Sequence, residues 1–363
     1  MKKFIIQTLG CKINQCESGS IEDLLSSHGF IATTSLLEAD IIIINTCTVT
    51  NRTDYKSRNL IKKAAEIKKH NNGVVVIVTG CYSQRHRDEI LRTGFVDYIV
   101  DNNQKDKILE IVQQNKTLDF NEIDKFNKFC DISNYRLTKR KINNRSKAFI
   151  KIQDGCDCFC TYCAVPFARG KPRSRSLTSI LEELDSIVEL GYQELVISGV
   201  NLGLYNSDGL NLASLLSIIS KYESLQKIRL SSIEPQLFTD ELFEVISKIE
   251  KIEPHFHIPL QSGCDELLKI HNRKYLTDDI VKLVNKLREI KVEPVIGFDV
   301  IVGLPFETDE YFDETYNFLQ SIGYSYLHVF LYSKRKGTVA ALMDNQIHGS
   351  IAKKRSKQLL GTL

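Results

Sequence analysis

The sequence predicts an α/β protein made of two successive parallel-sheet modules, and three observations carry that expectation. Short apolar runs rich in β-branched residues alternate with amphipathic stretches along nearly the whole chain, the pattern that gives parallel strands joined by right-handed helical crossovers. The alternation breaks once, in a polar stretch rich in Asn and Lys between Thr117 and Arg145. Cysteines recur just after several apolar runs rather than inside them.

In the first module, "KFIIQTLG", "ADIIIINTC", "GVVVIVTGC" and "VDYIVDN" read as buried strands, each an apolar run bounded by turn residues. Helices are expected near 17–29, 52–70, 84–93 and 104–115, which closes an N-terminal α/β domain over residues 1–116. Residues 117–146 suit a polar, basic linker. A second alternation then supplies six strands, at "AFIKIQDG", "ELVISGV", "KIRLSSI", "HFHIPLQ", "VIGFDVIVG" and "YLHVFLY". Six units are too few for the usual closed barrel of eight. A partial (βα)6 barrel over 147–335 is the economical reading, followed by a basic extension over 336–363. In such folds ligands bind at the carboxyl ends of the strands.

Composition narrows the class of protein. With 363 residues the chain has room for two cores, and no apolar run reaches the ~18 to 20 residues of a membrane helix. The N-terminus lacks the features of a signal peptide. A cytoplasmic protein with no membrane partner is therefore expected. Ten cysteines in a reducing compartment point to metal or catalytic ligands plus buried thiols rather than disulfides. The net charge of +3 conceals clustering: Ile132 to Lys151 holds seven Lys or Arg and no acid, and Tyr332 to Leu363 holds seven more against Asp344 alone.

Cys11, Cys47 and Cys81 each follow one of the first three apolar runs, in "LGC", "NTC" and "TGC". Parallel strands lie ~5 Å apart, so three thiolates at their ends can converge on one cluster. Small buried thiols at strand ends are the ordinary alternative for any one of them, but three at one topological position favour ligation. "QDGCDCFCTYC" adds Cys156, Cys160 and Cys163 in C-x3-C-x2-C spacing after the first strand of the second module. Structural zinc closes with four protein ligands, and no second pair follows here. Three thiolates suit a 4Fe-4S cluster with one iron left open. Cys158 falls outside that spacing and reads as a filler thiol.

This spacing, after the first strand of a partial barrel, resembles the radical S-adenosylmethionine enzymes. Together with the three upstream cysteines it resembles the methylthiotransferase family, which carries an auxiliary cluster on such an N-terminal domain. The resemblance implies two 4Fe-4S clusters and S-adenosylmethionine, whose reductive cleavage releases a 5'-deoxyadenosyl radical. It also implies sites for S-adenosylmethionine at Tyr162, at Ser198, Gly199 and Asn201, at Ser232 and Glu234, at Gln261, and at Val302 and Gly303. In "DVIVGLPFET", Phe306 stands where the family usually has glycine. His255 and His257 are read as buried strand residues.

"TLGCKINQCES" and "NTCTVTNRTDYKSR" resemble the branch acting on threonylcarbamoyladenosine beside the tRNA anticodon. Isopentenyladenosine and a ribosomal-protein aspartate are the other substrates known in the family. A tRNA-binding protein with structural metal and no turnover is the non-enzymatic alternative. The implied partners are the tRNA anticodon loop, an electron donor and a sulfur source. The basic runs could neutralise tRNA phosphates, and Arg169 and Arg173 are the contacts singled out. The family's small C-terminal, TRAM-like β domain is expected to be absent from this chain, which stops at Leu363.

Overall fold

The computed structural model describes residues 1–114 and 147–361. The expected linker, 117–146, lies outside the described residues. The chain divides into two compact units, Met1–Arg145 with Phe167–Gly191, and Ser146–Pro166 with Tyr192–Leu363. Inclusion of Phe167–Gly191 in the first unit departs from the linear division read from the sequence.

The first unit contains a five-stranded sheet: β1 (Lys3–Thr8), β2 (Ile31–Ala32), β3 (Ile41–Thr46), β4 (Val75–Gly80) and β5 (Tyr98–Val100), in the order β2-β1-β3-β4-β5. All pairings are parallel. The run of isoleucines explains the central position of β3, because a strand covered on both faces has no need of a polar side. Ile42 and Ile44 enter one core with Ile61 and Ala64 of the helix α2 (Asn51–His70). Ile41 and Ile43 enter the other with Ile21 and Leu25 of α1 (Lys12–Ser27). Helix α2 starts on a reciprocal cap: Thr50 Oγ1 accepts from the Thr53 N–H and Thr53 Oγ1 accepts from the Thr50 N–H, worth about 1 kcal/mol.

Helix α1 begins at Lys12, earlier than the periodicity suggested, and Cys11 is its cap residue in extended conformation. The first turn escaped notice because it buries the polar Asn14 and Glu17 rather than a run of apolar residues. The expected third helix is broken at His86 into Cys81–Arg85 and Arg87–Leu91.

The second unit contains the six expected strands, Lys147–Lys151, Glu194–Ser198, Lys227–Leu230, His255–Gln261, Val295–Val302 and Tyr326–Leu331. The first three form one parallel sheet and the last three another, joined by a parallel bridge between Ile228 and Ile252. The ladder is thus a partial barrel in two halves. The fourth strand shifts register between Ile258 and Gln261, where Pro259 has no N–H to offer the ladder.

The basic C-terminal stretch is folded onto this barrel. Its helix, Gly349–Leu360, places Ala352 against Gly303 and inserts Arg355, whose guanidinium bonds Glu307 at 2.7 Å and Asp309 at 2.7 Å. Arg335 and Arg355 are buried, which removes two of the cations assigned to phosphate contact. Lys151, from the other basic run, is likewise buried, in an ion pair with Asp154 at 2.7 Å. No described helix is long and apolar enough to cross a membrane.

Candidate functional site

Each unit gathers thiols at the carboxyl ends of its strands. In the first unit Cys11, Cys47 and Cys81 follow β1, β3 and β4, which are immediate neighbours in the sheet. Gly10 has φ +97°, and a Cβ there would lie 2.5 Å from both Cβ and Sγ of Cys47, so only glycine admits that thiol. Gly80, at φ +101°, brings the end of β4 against the Thr46 backbone in the same way. Ser57 Oγ donates to the Cys47 carbonyl at 3.1 Å and fixes the loop from beneath.

Burial pushes the Cys47 thiol up to about 11, with Cys81 and Cys11 adding to the rise. Burial also raises Cys81, while Arg169 and Lys105 oppose it. Cys47 and Cys81 thus both lie close enough to Cys11 to feel its charge. Under them lies a buried polar lattice. Asn14 donates to the carbonyls of Leu9 (2.7 Å) and Thr46 (2.9 Å), and Asn45 donates to the carbonyl of Asn14 (2.9 Å). Glu17, fully buried, is paired with Lys105 and with Arg169 at 2.9 Å. Asn102 donates to the Ala168 carbonyl at 2.9 Å, with its amide nitrogen 3.9 Å from Cys81 Sγ.

Arg169 therefore corrects the sequence reading. It is 3% exposed and donates to Glu17 and to Asn14 Oδ1 at 2.7 Å, so it braces the cysteine loops and is not an exposed phosphate contact. Arg173 is half-buried and donates to the Arg169 carbonyl at 2.9 Å.

In the second unit Cys156, Cys158, Cys160 and Cys163 lie in the loop after the first barrel strand. That loop is held by residues distant in sequence. Asn272 donates to the carbonyls of Cys158 (3.1 Å) and Phe159 (3.0 Å), the latter a residue at φ +46°. Thr161 Oγ1 and His271 Nδ1 are 2.6 Å apart, and Arg273 donates to Cys160 Sγ at 2.8 Å. Arg273 also pairs with Glu234. Burial raises the Cys160 thiol, with Arg273 opposing, and carries Cys163 up to about 12. Cys158 behaves differently: its hydrogen bond to Cys156 lowers the Cys156 thiol to about 7 and raises its own.

Gln153 Oε1 accepts from the Asn201 N–H at 2.9 Å, and Gly199 leaves room for the Gln153 side chain. Asn201 Nδ2 lies 3.5 Å from Cys158 Sγ, while its Oδ1 is buried with no hydrogen-bond partner among the described residues. That orphaned acceptor beside the cysteine loop fits an ammonium donor such as the amino group of S-adenosylmethionine. Ser198 is buried at the end of the second strand.

Tyr162 packs with Cys264, Leu267 and Leu304, its hydroxyl unpartnered among the described residues. Val302 is buried, and the Gly303 N–H donates to Glu307 at 2.6 Å. Phe306 adopts φ +67°, the left-handed region that explains a glycine at this place, and its N–H is held by the Asn345 carbonyl at 3.0 Å. Gln261 also has positive φ, +66°. Ser232 points elsewhere, its Oγ 3.0 Å from His257 Nδ1.

Sequence reading missed Asn14, Glu17, Asn45, Gln153 and the trio His271, Asn272 and Arg273. For the trio a signal was present: "HNRKY" sets polar residues between two helical stretches, Asp265–Ile270 and Thr277–Ile290. Its target, the cysteine loop, could not be read from spacing.

Residues 150–319 match the Radical SAM superfamily, and residues 3–101 match Uncharacterized protein family UPF0004. The chain is 38% identical to a threonylcarbamoyladenosine tRNA methylthiotransferase of Bacillus subtilis, covering 99% of this chain and 80% of the relative. It is 36% identical to the enzyme of that name from Aquifex aeolicus, covering 98% of this chain and 87% of the relative. It is 34% identical to a tRNA-2-methylthio-N(6)-dimethylallyladenosine synthase of Thermotoga petrophila, covering 93% and 76%. Among solved structures, the radical S-adenosylmethionine methyltransferase TsrM from Kitasatospora setae superposes with a TM-score of 0.70 at 15% identity, covering 94% of this chain and 77% of that one. That likeness shows the fold alone.

Proposed function

The chain belongs to the radical S-adenosylmethionine tRNA methylthiotransferases, enzymes that transfer a sulfur-containing group, and on that premise we propose that it methylthiolates threonylcarbamoyladenosine beside the anticodon of tRNA. One observation carries the chemical part of this reading: two separate sets of three thiols, each at the carboxyl edge of parallel strands. Family members use S-adenosylmethionine and two 4Fe-4S clusters.

Cys11, Cys47 and Cys81 would hold the auxiliary cluster, and Cys156, Cys160 and Cys163 the cluster that binds S-adenosylmethionine through its open iron. When bound, these groups supply the radical that activates an adenine C–H and the sulfur that replaces its hydrogen. The chain's own residues bind and orient. Arg273 directs two N–H groups, one at Cys160 Sγ and one at Glu234, and so fixes the middle thiol of the loop. Asn272 prevents the loop from rotating by taking two successive carbonyls. Asn201 Oδ1 stands ready to accept from the methionyl amino group. In the first unit, Gly10 lets Cys47 approach and the Asn14–Asn45 lattice holds the loops apart at the spacing of adjacent strands.

The relatives named for threonylcarbamoyladenosine are 38% and 36% identical, against 34% for the dimethylallyladenosine enzyme, and this supports the substrate. An electron donor and a sulfur source are required partners of the reaction, and tRNA places the work in the cytoplasm. Mass spectrometry of tRNA nucleosides from a strain lacking the gene tests the reading. Loss of 2-methylthio-threonylcarbamoyladenosine, with the isopentenyl counterpart intact, is the expected result; the reverse pattern would transfer the protein to the other branch.

A further inference from the structure

One cluster of chemically capable side chains plays no part in either thiol site. His257, Asp299 and His328 stand on the fourth, fifth and sixth barrel strands, and their ligand atoms all lie within 4.8 Å of one another. Asp299 sits directly opposite His328 in the parallel register, and His257 is opposite Gly297, two residues earlier on the same strand. Side chains alternate across a strand, so His257, Asp299 and His328 project from one face, while Ile258, Phe298 and Leu327 are buried on the other.

Both imidazoles aim at the same carboxylate oxygen. Asp299 Oδ1 is 2.8 Å from His257 Nε2 and 3.2 Å from His328 Nδ1. Metal–ligand bonds of ~2.0–2.1 Å in a tetrahedron separate donors by about 3.3 Å, so these two spacings need only small movements to accept an ion. The far nitrogen of His257, Nδ1, is held at 3.0 Å by Ser232 Oγ. This is the kind of outer partner that fixes the tautomer and ring orientation of a ligating histidine. Tyr326 packs at a tilt against the same group, its ring centroid 5.9 Å from that of His257 and 5.2 Å from that of His328, and Gly297 leaves the space for it. His257 and Asp299 are largely covered, whereas His328 is half-exposed, so the open side faces solvent.

We propose that His257 Nε2, Asp299 Oδ1 and His328 Nδ1 form a binding site for a divalent transition-metal ion of the zinc or iron(II) class. Two imidazoles and one carboxylate leave coordination positions open, and these take oxygen donors: water, or a carboxylate or hydroxyl oxygen of a bound substrate. The site is independent of the two cysteine sets and stands whichever nucleoside the enzyme modifies.

The test loads the cluster-bearing enzyme with one equivalent of Zn(II), removes excess metal, and records zinc content and the zinc absorption-edge fine structure. The expected result is about one zinc per chain with nitrogen and oxygen neighbours at ~2.0–2.2 Å and no sulfur. His328→Ala and Asp299→Asn should each lose the zinc with iron content unchanged, and Ser232→Ala should weaken binding about 10-fold, as loss of an outer partner does. His328 is half-exposed, so its variant folds and serves as the decisive one. Sulfur neighbours at ~2.3 Å, zinc retained by His328→Ala, or no zinc held after removal of excess would each overturn the proposal.

Discussion

The two thiol sites solve one problem by opposite routes. In the first unit the cysteines come one each from three strand ends, and the sheet itself sets their spacing. In the second they come from a single loop, which holds part of its shape itself, with the Cys163 N–H donating to the Cys160 carbonyl at 2.9 Å, and takes the rest from outside. The difference shows in the supports. The dispersed set rests on backbone register, two glycines and a buried polar lattice, whereas the local set is clamped by side chains from elsewhere in the barrel, Asn201, His271, Asn272 and Arg273. Proximity in sequence gives a recognisable motif, but proximity in the sheet gives geometry.

The largest effect that would sharpen this comparison comes from the four loop cysteines. After chemical reconstitution, Cys160→Ala should fall from about eight irons per chain to about four and form no 5'-deoxyadenosine. Cys158→Ala should keep its iron, and equal loss in both variants would break the division of the loop into three ligands and a bystander. Next, Cys47→Ala should also hold about four irons yet still cleave S-adenosylmethionine, because its site lies in the other unit; transfer of the methylthio group should be abolished. Retention of about eight irons would remove Cys47 from the ligand set.

Smaller changes test the supports. Arg169→Ala deprives buried Glu17 of one of its two cations, and breaking a buried pair costs about 3–5 kcal/mol. Thermal unfolding should register this loss, while the salt dependence of tRNA binding should keep its slope. A shallower slope with unchanged stability would restore Arg169 to the tRNA surface. Arg273→Met should cost about 2 kcal/mol, within the range for hydrogen bonds to charged groups, and should speed iron loss from the barrel cluster alone. Phe306→Gly relieves a left-handed residue, a strain of roughly 1–2 kcal/mol, at the expense of side-chain contacts, so its melting temperature should move least of the six.

Much of this was legible beforehand. The strands of both units stood out because β-branched runs bounded by turn residues have few other folded forms, and the cysteines stood out because Cys11, Cys47 and Cys81 repeat relative to those strands and Cys156, Cys160 and Cys163 share one tight spacing. Helix α1 was read as starting too late, since buried Asn14 and Glu17 carry no apolar signature. Arg169 was misjudged for a related reason: charge in a sequence suggests solvent, and only the fold reveals a buried partner such as Glu17. The basic C-terminal stretch repeats the lesson, with Arg355 spent on Glu307 and Asp309.

By itself, then, the sequence determined the order of strands and helices and the places where thiols gather, because both depend on local periodicity and residue type. Tertiary structure decided which donors meet and what holds them. Sheet order makes neighbours of β1, β3 and β4, Arg273 reaches Cys160 across the barrel, and His257, Asp299 and His328 come together from three strands. Such meetings depend on register and crossover, which bring distant residues within hydrogen-bond reach and leave no trace in the spacing of the residues along the chain.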